Sequence, residues 1–239
     1  MTRPAILVSH GQPSDPDPQQ KAVEALAADV AAISGRRVIG ATLAKTGALE
    51  DAVGAAPDAL VYPMFMAEGW FTGTELPRRL EGAGGAGLTR LRPFGVDPGL
   101  SDLCLRLIRD EAEARGLSLQ QVTLLLIAHG SKRARGSAKG AEEMAEKLRT
   151  GTGRVVTGFI EETPFLADAA TGLGPDAIAL PFFATRAEHV TDDIPEALAQ
   201  AGFEGPCLPP VGLAPQVPAL IAAALGRGDA AIASERLRA

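Results

Sequence analysis

Two stretches of the chain have the same form: AILVSHG at residues 5–11 and LLLIAHG at residues 124–130. Each is a short apolar run that ends in His-Gly, and the second follows the first by 119 residues. A second pair of landmarks recurs at nearly this distance, because the segment Pro63–Pro77 corresponds to Pro181–Pro195, 118 residues later. A nearly constant offset of this kind indicates an internal duplication.

Each half alternates apolar runs with amphipathic segments, which predicts parallel βαβ units. Several of the runs are continuously apolar, as in strands that helices cover on both faces. The predicted strands lie near residues 4–9, 37–43, 58–64 and 88–92 in the first half, and near 122–128, 154–160, 176–183 and 206–209 in the second. We therefore expect an α/β protein of two tandem similar domains, each a parallel sheet flanked by helices. The division is predicted at residues 1–117 and 118–239, just after a helix near 99–115.

Composition and charge narrow the possible functions. Hydrophobic residues make up 46% of the chain and charged residues 22%, the balance of a globular protein. The net charge of −6 argues against a nucleic-acid partner. Cys104 and Cys207 lack CxxC spacing, and the apolar run near the N-terminus is too short to span a membrane. We expect a cytoplasmic protein without a membrane or nucleic-acid partner.

Polar side chains follow three predicted strands of the second half. His129 follows the first strand, Glu161 and Glu162 follow the second, and His189 follows the third. Ligands of parallel α/β proteins bind at the carboxyl ends of the strands. Imidazole and carboxylate groups bind divalent transition metals, and they also exchange protons near neutral pH.

Structural roles compete with this interpretation. His129 could cap a strand-to-helix turn, while Asp192 and Asp193 could cap a helix that begins near Ile194. For the two aspartates both interpretations stay open. The clustering of His129 and His189 at strand ends favours a functional role for the histidines.

A basic loop follows His129 and precedes a predicted helix. Ser131, Lys132, Arg133 and Arg135 lie in this loop, where backbone N–H groups and cations together suit an anion. A solvated basic turn is the alternative. The phosphate-binding patterns GxxxxGK[ST] and GxGxxG do not occur in the chain, and no GxSxG surrounds Ser9 or Ser131. Nucleotide binding and serine hydrolysis are therefore disfavoured.

The motifs of the second half resemble those of the CbiX/SirB chelatases, which insert a divalent metal into sirohydrochlorin. The family pattern combines a strand ending in HGS, a strand ending in FxE and a segment P-x-F-(x)5-H-(x)3-D-x-P. This chain supplies His129-Gly130-Ser131, then Phe159-Ile160-Glu161, then Pro181, Phe183, His189, Asp193 and Pro195. The resemblance covers both halves and implies the class II chelatase fold.

The resemblance also implies roles for these residues. His129 and His189 would handle the metal and accept protons, with Glu161 as base or ligand and Glu162 as a neighbour able to replace it. Co²⁺, Fe²⁺ or Ni²⁺ would be a substrate, and no cofactor would be permanently bound. The carboxylates of the tetrapyrrole would pair with a polar and cationic group of residues: Ser131, Lys132, Arg133, Arg135 and Arg186.

The first half departs from the family pattern. His10 is retained, but Ala44 occupies the position that matches Glu161, and Phe71 occupies the position that matches His189. Neither replacement can bind a metal or accept a proton. The resemblance implies an active N-terminal half in long members, whereas these residues predict a degenerate first site and an active second one.

The predicted function is metal insertion into sirohydrochlorin by a lyase of cobalamin or siroheme biosynthesis. The alternative is a non-catalytic carrier of a tetrapyrrole or metal, descended from a chelatase. Metallation of a related porphyrin is a third possibility. We expect a monomer or a homodimer.

Overall fold

The computed structural model describes residues 2–131, 136–185 and 189–236. The chain forms two compact units. The first contains the residues up to Asp97 together with the C-terminal segment from Pro215, and the second contains Pro98–Ala214.

The first unit is built on a four-stranded parallel sheet with the order β2-β1-β3-β4. Its strands are β1 (Ala5–Ser9), β2 (Val38–Thr42), β3 (Leu60–Pro63) and β4 (Thr89–Arg90). Its α-helices are α1 (Pro16–Ser34), α2 (Ala48–Ala55), α3 (Leu76–Gly82) and α8 (Val217–Arg236). A π-helical turn, Phe71–Glu75, leads directly into α3, and a 3₁₀ turn covers Phe94–Val96.

The second unit contains a three-stranded parallel sheet with the order β6-β5-β7. Its strands are β5 (Thr123–Ala128), β6 (Arg154–Phe159) and β7 (Ala177–Pro181). Its α-helices are α4 (Leu100–Ala114), α5 (Gly136–Arg149), α6 (Leu166–Ala170) and α7 (Ile194–Gln200). A π-helical turn, His189–Asp193, leads into α7, and a 3₁₀ turn covers Val211–Leu213.

The two sheets confirm the predicted fold class. In both units the strand that ends in His-Gly is central, with the next strand along the chain on one side and the third on the other. The residues Leu124–Ile127 of β5 are completely buried, as the continuous apolar pattern predicts for a sheet covered on both faces. The π-helical turns also recur at the same offset, before α3 and before α7.

The compact units differ from the division at residue 117 that the repeat predicts. Helix α4 follows the first sheet in sequence but buries its apolar face in the second unit, where it contacts β7 and α5. Helix α8 follows the second sheet but buries its apolar face in the first unit, where it contacts α1 and β3.

The predicted strand near 206–209 is reduced to a single parallel bridge between Ala179 and Cys207. Pro206 precedes Cys207, and Pro209 and Pro210 follow it closely. Proline has no N–H group to donate to a sheet, so the pairing cannot extend along this segment.

Two ion pairs hold α8 in the first unit. The guanidinium group of Arg227 donates to both carboxylate oxygens of the buried Asp97, at 2.9 and 2.8 Å. Arg36 pairs with Asp229 at 3.0 Å. Residues Val217–Ser234 of this helix are the one stretch of the described chain long and apolar enough to cross a membrane. This helix packs against α1 and β3, and 28% of the apolar stretch is buried.

A glycine packs against the segment that follows the third strand of each sheet. A side-chain carbon at Gly95 would collide with the carbonyl oxygen of Met66, and one at Gly212 would collide with that of Ala184. Gly95 and Gly212 also donate backbone hydrogen bonds to Phe65 and Phe183, each at 2.9 Å. Glycine is therefore required at both positions for close backbone approach.

We predict that Gly212→Ala lowers the free energy of unfolding by about 2–4 kcal/mol, because the new methyl group has no room. Gly226→Ala is the matched control, since no atom lies within 4 Å of the added carbon in α8. It should raise stability by about 0.5–1 kcal/mol. Urea denaturation followed by circular dichroism measures both, and equal stabilities for the two variants would contradict this packing constraint.

Candidate active site

The carboxyl ends of β5 and β6 bring His129 and Glu161 together. The parallel pairing of these strands continues past their ends, because Ile160 N donates to Ala128 O at 3.1 Å. Glu161 N then donates to His129 O at 2.9 Å. As a result, Nδ1 of His129 lies 3.8 Å from Oε2 of Glu161.

The two acceptors around Nδ1 determine which nitrogen of His129 carries its proton. Nδ1 lies 3.1 Å from the carbonyl oxygen of Gly130 and also faces the Glu161 carboxylate. Since both neighbours only accept hydrogen bonds, this geometry favours the tautomer of the neutral ring that carries its proton on Nδ1. Nε2 then has the lone pair that can bind a metal or accept a proton.

The imidazole and the carboxylate are both within reach of a ligand from solvent. The side chain of His129 is 37% exposed and that of Glu161 is 42% exposed. The pair is therefore held by backbone hydrogen bonds at the edge of the sheet while its reactive atoms stay accessible.

Glu162 supports the turn that carries His129. Its Oε1 accepts a hydrogen bond from the backbone N–H of Ser131 at 2.9 Å. Gly130 has a φ of 74°, and a side-chain carbon there would lie 2.8 Å from Cγ of Glu162. The turn thus needs glycine both for its left-handed backbone and for the close approach of Glu162. Glu162 stabilises the turn at His129-Gly130-Ser131. The sequence suggested only that Glu162 could substitute for Glu161.

Several predicted site residues lie outside the described residues or only partly within them. The backbone of His189 begins the π-helical turn His189–Asp193, but its side chain lies outside the described part of the structure. Four of the predicted substrate-binding residues also lie outside it: Lys132, Arg133, Arg135 and Arg186. Ser131 is described, and it contributes its backbone N–H to Glu162.

The capping role considered for the aspartates is not supported by the backbone. Asp193 precedes α7 with a helical conformation, φ −68° and ψ −38°, and makes no side-chain capping hydrogen bond. The helical path already begins at His189 in the π-helical turn. Asp192 and Asp193 are therefore inside a continuous helical segment rather than at its beginning.

Among the side chains that the structure describes, which do not include that of His189, no three potential metal ligands converge. The described part of the candidate centre is thus the His129–Glu161 pair. This pair can hold a cation from one side, and it can accept a proton at Nε2 of His129.

The equivalent position in the first unit has the same backbone but different chemistry. Ala44 N donates to His10 O at 2.9 Å, as Glu161 N does to His129 O. Nδ1 of His10 lies 2.7 Å from Gly11 O, and Gly11 has the same φ of 74° as Gly130. Phe71 begins the π-helical turn, and its ring packs edge-on against His10 with centroids 4.7 Å apart.

We predict that Glu162→Ala lowers the free energy of unfolding by about 1–2 kcal/mol, because Ser131 N–H loses its acceptor. Glu162→Gln retains an amide oxygen at the same position and should keep most of this stability. Urea titration measures the three proteins side by side. If the glutamine variant were as unstable as the alanine variant, the hydrogen bond would not be the source of the effect.

Comparison with known proteins places this site in a family. The CbiX family model matches residues 123–227, the segment that contains His129, Glu161 and His189. No curated protein matches the chain. Among solved structures, CbiX, described as the terminal enzyme for biosynthesis of siroheme in denitrifying bacteria, shares 54% sequence identity with the chain. The match has a TM-score of 0.88 and covers 94% of this chain and 99% of that one.

More distant structures share the fold. SirB from Bacillus subtilis with Fe³⁺ is 14% identical, with a TM-score of 0.71 and coverage of 94% of both chains. DR2241 from Deinococcus radiodurans, a multi-domain protein with structural similarity to chelatases, is 23% identical with a TM-score of 0.69. That match covers 94% of this chain and 55% of the other. The identity and near-complete coverage of the CbiX match show that the chain belongs to the CbiX family.

Proposed function

We propose that the protein inserts a divalent metal, Co²⁺ or Fe²⁺, into sirohydrochlorin at a site formed by His129, Glu161 and His189. The observation that carries the proposal is the exposed imidazole and carboxylate pair at the edge of the second sheet, 3.8 Å apart. The similarity to CbiX, described as an enzyme of siroheme biosynthesis, supports it. SirB structures with Fe³⁺ and with cobalt have the same fold.

In the proposed mechanism, His129 acts through Nε2. Metallation removes two pyrrole protons from the macrocycle, so the site needs a base that faces the ligand. The Nδ1 proton of His129, held between Gly130 O and Glu161, leaves the Nε2 lone pair for this purpose. The Glu161 carboxylate stabilises the positive charge that the ring gains when it accepts a proton, as a carboxylate does beside a catalytic histidine.

The other assignments rest on the family pattern. His189 would be the second metal-handling group and proton acceptor, reached from the π-helical turn before α7. Lys132, Arg133, Arg135 and Arg186 would pair with the substrate carboxylates, and arginine suits such contacts because it binds a carboxylate through two parallel hydrogen bonds. The metal is a substrate in this scheme, and no permanently bound cofactor is proposed.

A cytoplasmic location is part of the proposal. The two cysteines of the chain are free thiols, Cys104 buried and Cys207 exposed. Free cysteines are typical of proteins from reducing compartments. Burial raises the pKa of the Cys104 thiol to about 12, so Cys104 is not a reactive thiolate near neutral pH.

His129→Ala should lower the rate of metal insertion at least about a hundredfold, because the variant loses the group that accepts the proton. Glu161→Ala should also slow the reaction. His10→Ala is the matched control: it removes an equivalent imidazole from the equivalent turn and should leave most of the activity. The rate is followed anaerobically through the absorbance of sirohydrochlorin with Co²⁺ or Fe²⁺, after circular dichroism has confirmed folding.

Two results would oppose the proposal. Loss of activity in a folded His10→Ala variant, with full activity in His129→Ala, would place the chemistry in the first unit. Tight binding of sirohydrochlorin without turnover by the unaltered protein would favour the carrier function instead.

A further inference from the structure

The first unit, in which Ala44 and Phe71 stand at the positions of Glu161 and His189, contains an open cleft. Its volume is about 310 Å³, and it lies within the first unit at the carboxyl ends of β1 and β2. Residues of the former site line it, together with side chains from the following helices: His10, Ala44, Lys45, Phe71, Glu75 and Arg79. A volume of this size is within the range of small-molecule sites.

Three replacements make this cleft less suited to a metal cation than the equivalent part of the second unit. Where the second unit has Glu161, the first has Ala44, and where it has Glu162, the first has Lys45. Phe71 stands where the second unit has His189. The cleft has thus lost two carboxylates and an imidazole, the groups that attract a metal cation, and has gained an ammonium group and an aromatic ring.

The remaining charges on the cleft are compatible with an anionic ligand. Glu75 is buried and accepts hydrogen bonds from Arg78 and Arg79, which lower the pKa of its carboxyl to about 2 and neutralise its charge. Glu50 is the other carboxylate on the cleft, and its side chain is exposed. Lys45 pairs with Asp17 at 2.6 Å, but both side chains are exposed and such pairs are weak. Lys45 is therefore able to exchange this partner for a ligand carboxylate.

An exposed aromatic surface adjoins the cleft. Trp70 is 57% exposed and Phe71 is 37% exposed, and their rings contact each other at 5.0 Å between centroids. Phe65 stacks beneath Phe71 at 5.8 Å and holds that ring in place. Exposed aromatic rings that adjoin one another often mark a binding surface, and flat ligands can stack on them.

We propose that this cleft binds a planar aromatic polycarboxylate, with its ring on Phe71 and Trp70 and a carboxylate at Lys45. The inference rests on the proposed function for the identity of that ligand: either the metal-free macrocycle or its metallated product has the required chemistry. The first unit would then hold a macrocycle without metallating it, since Ala44 and Phe71 supply no base and no metal ligand. Only the edge of a macrocycle and one carboxylate arm fit within 310 Å³.

The chain provides its own reporter for this binding. Trp70 is the only tryptophan of the sequence, so intrinsic tryptophan fluorescence has one source, and that source adjoins this cleft. Sirohydrochlorin and its cobalt complex are titrated separately, under anaerobic conditions and without free metal. N-acetyltryptophanamide at the same absorbance corrects for light absorbed by the macrocycle. Of these two compounds, the one that binds with the lower Kd is assigned as the ligand of this cleft.

The proposal predicts saturable quenching of Trp70 in the unaltered protein and in the His129→Ala variant, with a stoichiometry of two macrocycles per unaltered chain. Phe71→Ala should raise the Kd of the quenching phase about five- to tenfold, because a stacking ring is lost. Lys45→Glu should raise it about tenfold at low salt, and less at high salt, because the charge is reversed. Arg109→Glu, an exposed charge reversal on α4, is the matched control and should not change it.

Absence of saturable quenching would overturn the inference, as would a single bound macrocycle whose quenching disappears in His129→Ala. Metal insertion is assayed in the same samples, which separates this inference from the proposed function. Quenching without any insertion activity refutes the proposed function and leaves the cleft assignment standing. Full insertion activity with an unresponsive Trp70 refutes the cleft assignment and leaves the function standing.

Discussion

The backbone hydrogen bond from Glu161 N to His129 O is the contact on which the candidate site depends. It extends the pairing of β5 and β6 beyond their last residues, and so it sets an imidazole and a carboxylate side by side. The exposed side chains need no contact of their own to stay together, because the sheet places them. Glu162 adds a second restraint by binding Ser131 N–H, on the other side of the same turn.

The same backbone contact occurs in the first unit, between Ala44 and His10, where it brings no second functional group. Duplication has therefore preserved a scaffold in both halves while the side chains have diverged. One copy keeps groups that attract a cation, and the other presents aromatic rings and a lysine. This contrast is the basis of our proposal that the metal chemistry belongs to the second unit.

Seven of the eight predicted strands and the proximity of His129 and Glu161 were predictable, because continuous apolar runs define parallel strands and strand ends define where ligands bind. The packing of α4 in the second unit and of α8 in the first was not, since an apolar helix face does not record which sheet it covers. The bracing role of Glu162 also escaped sequence analysis, because a hydrogen bond to a backbone N–H leaves no pattern. The one difference in sequence that hinted at this role is that Glu161-Glu162 of the second half corresponds to Ala44-Lys45 in the first.

We propose that the second unit holds the metal and that the first does not. Diffraction from crystals soaked in Co²⁺, recorded at the cobalt absorption edge, locates the ion without any assay of turnover. We expect an anomalous peak beside His129 and Glu161, and none beside His10 and Phe71. A cobalt peak on His10, with no peak at His129, would contradict it.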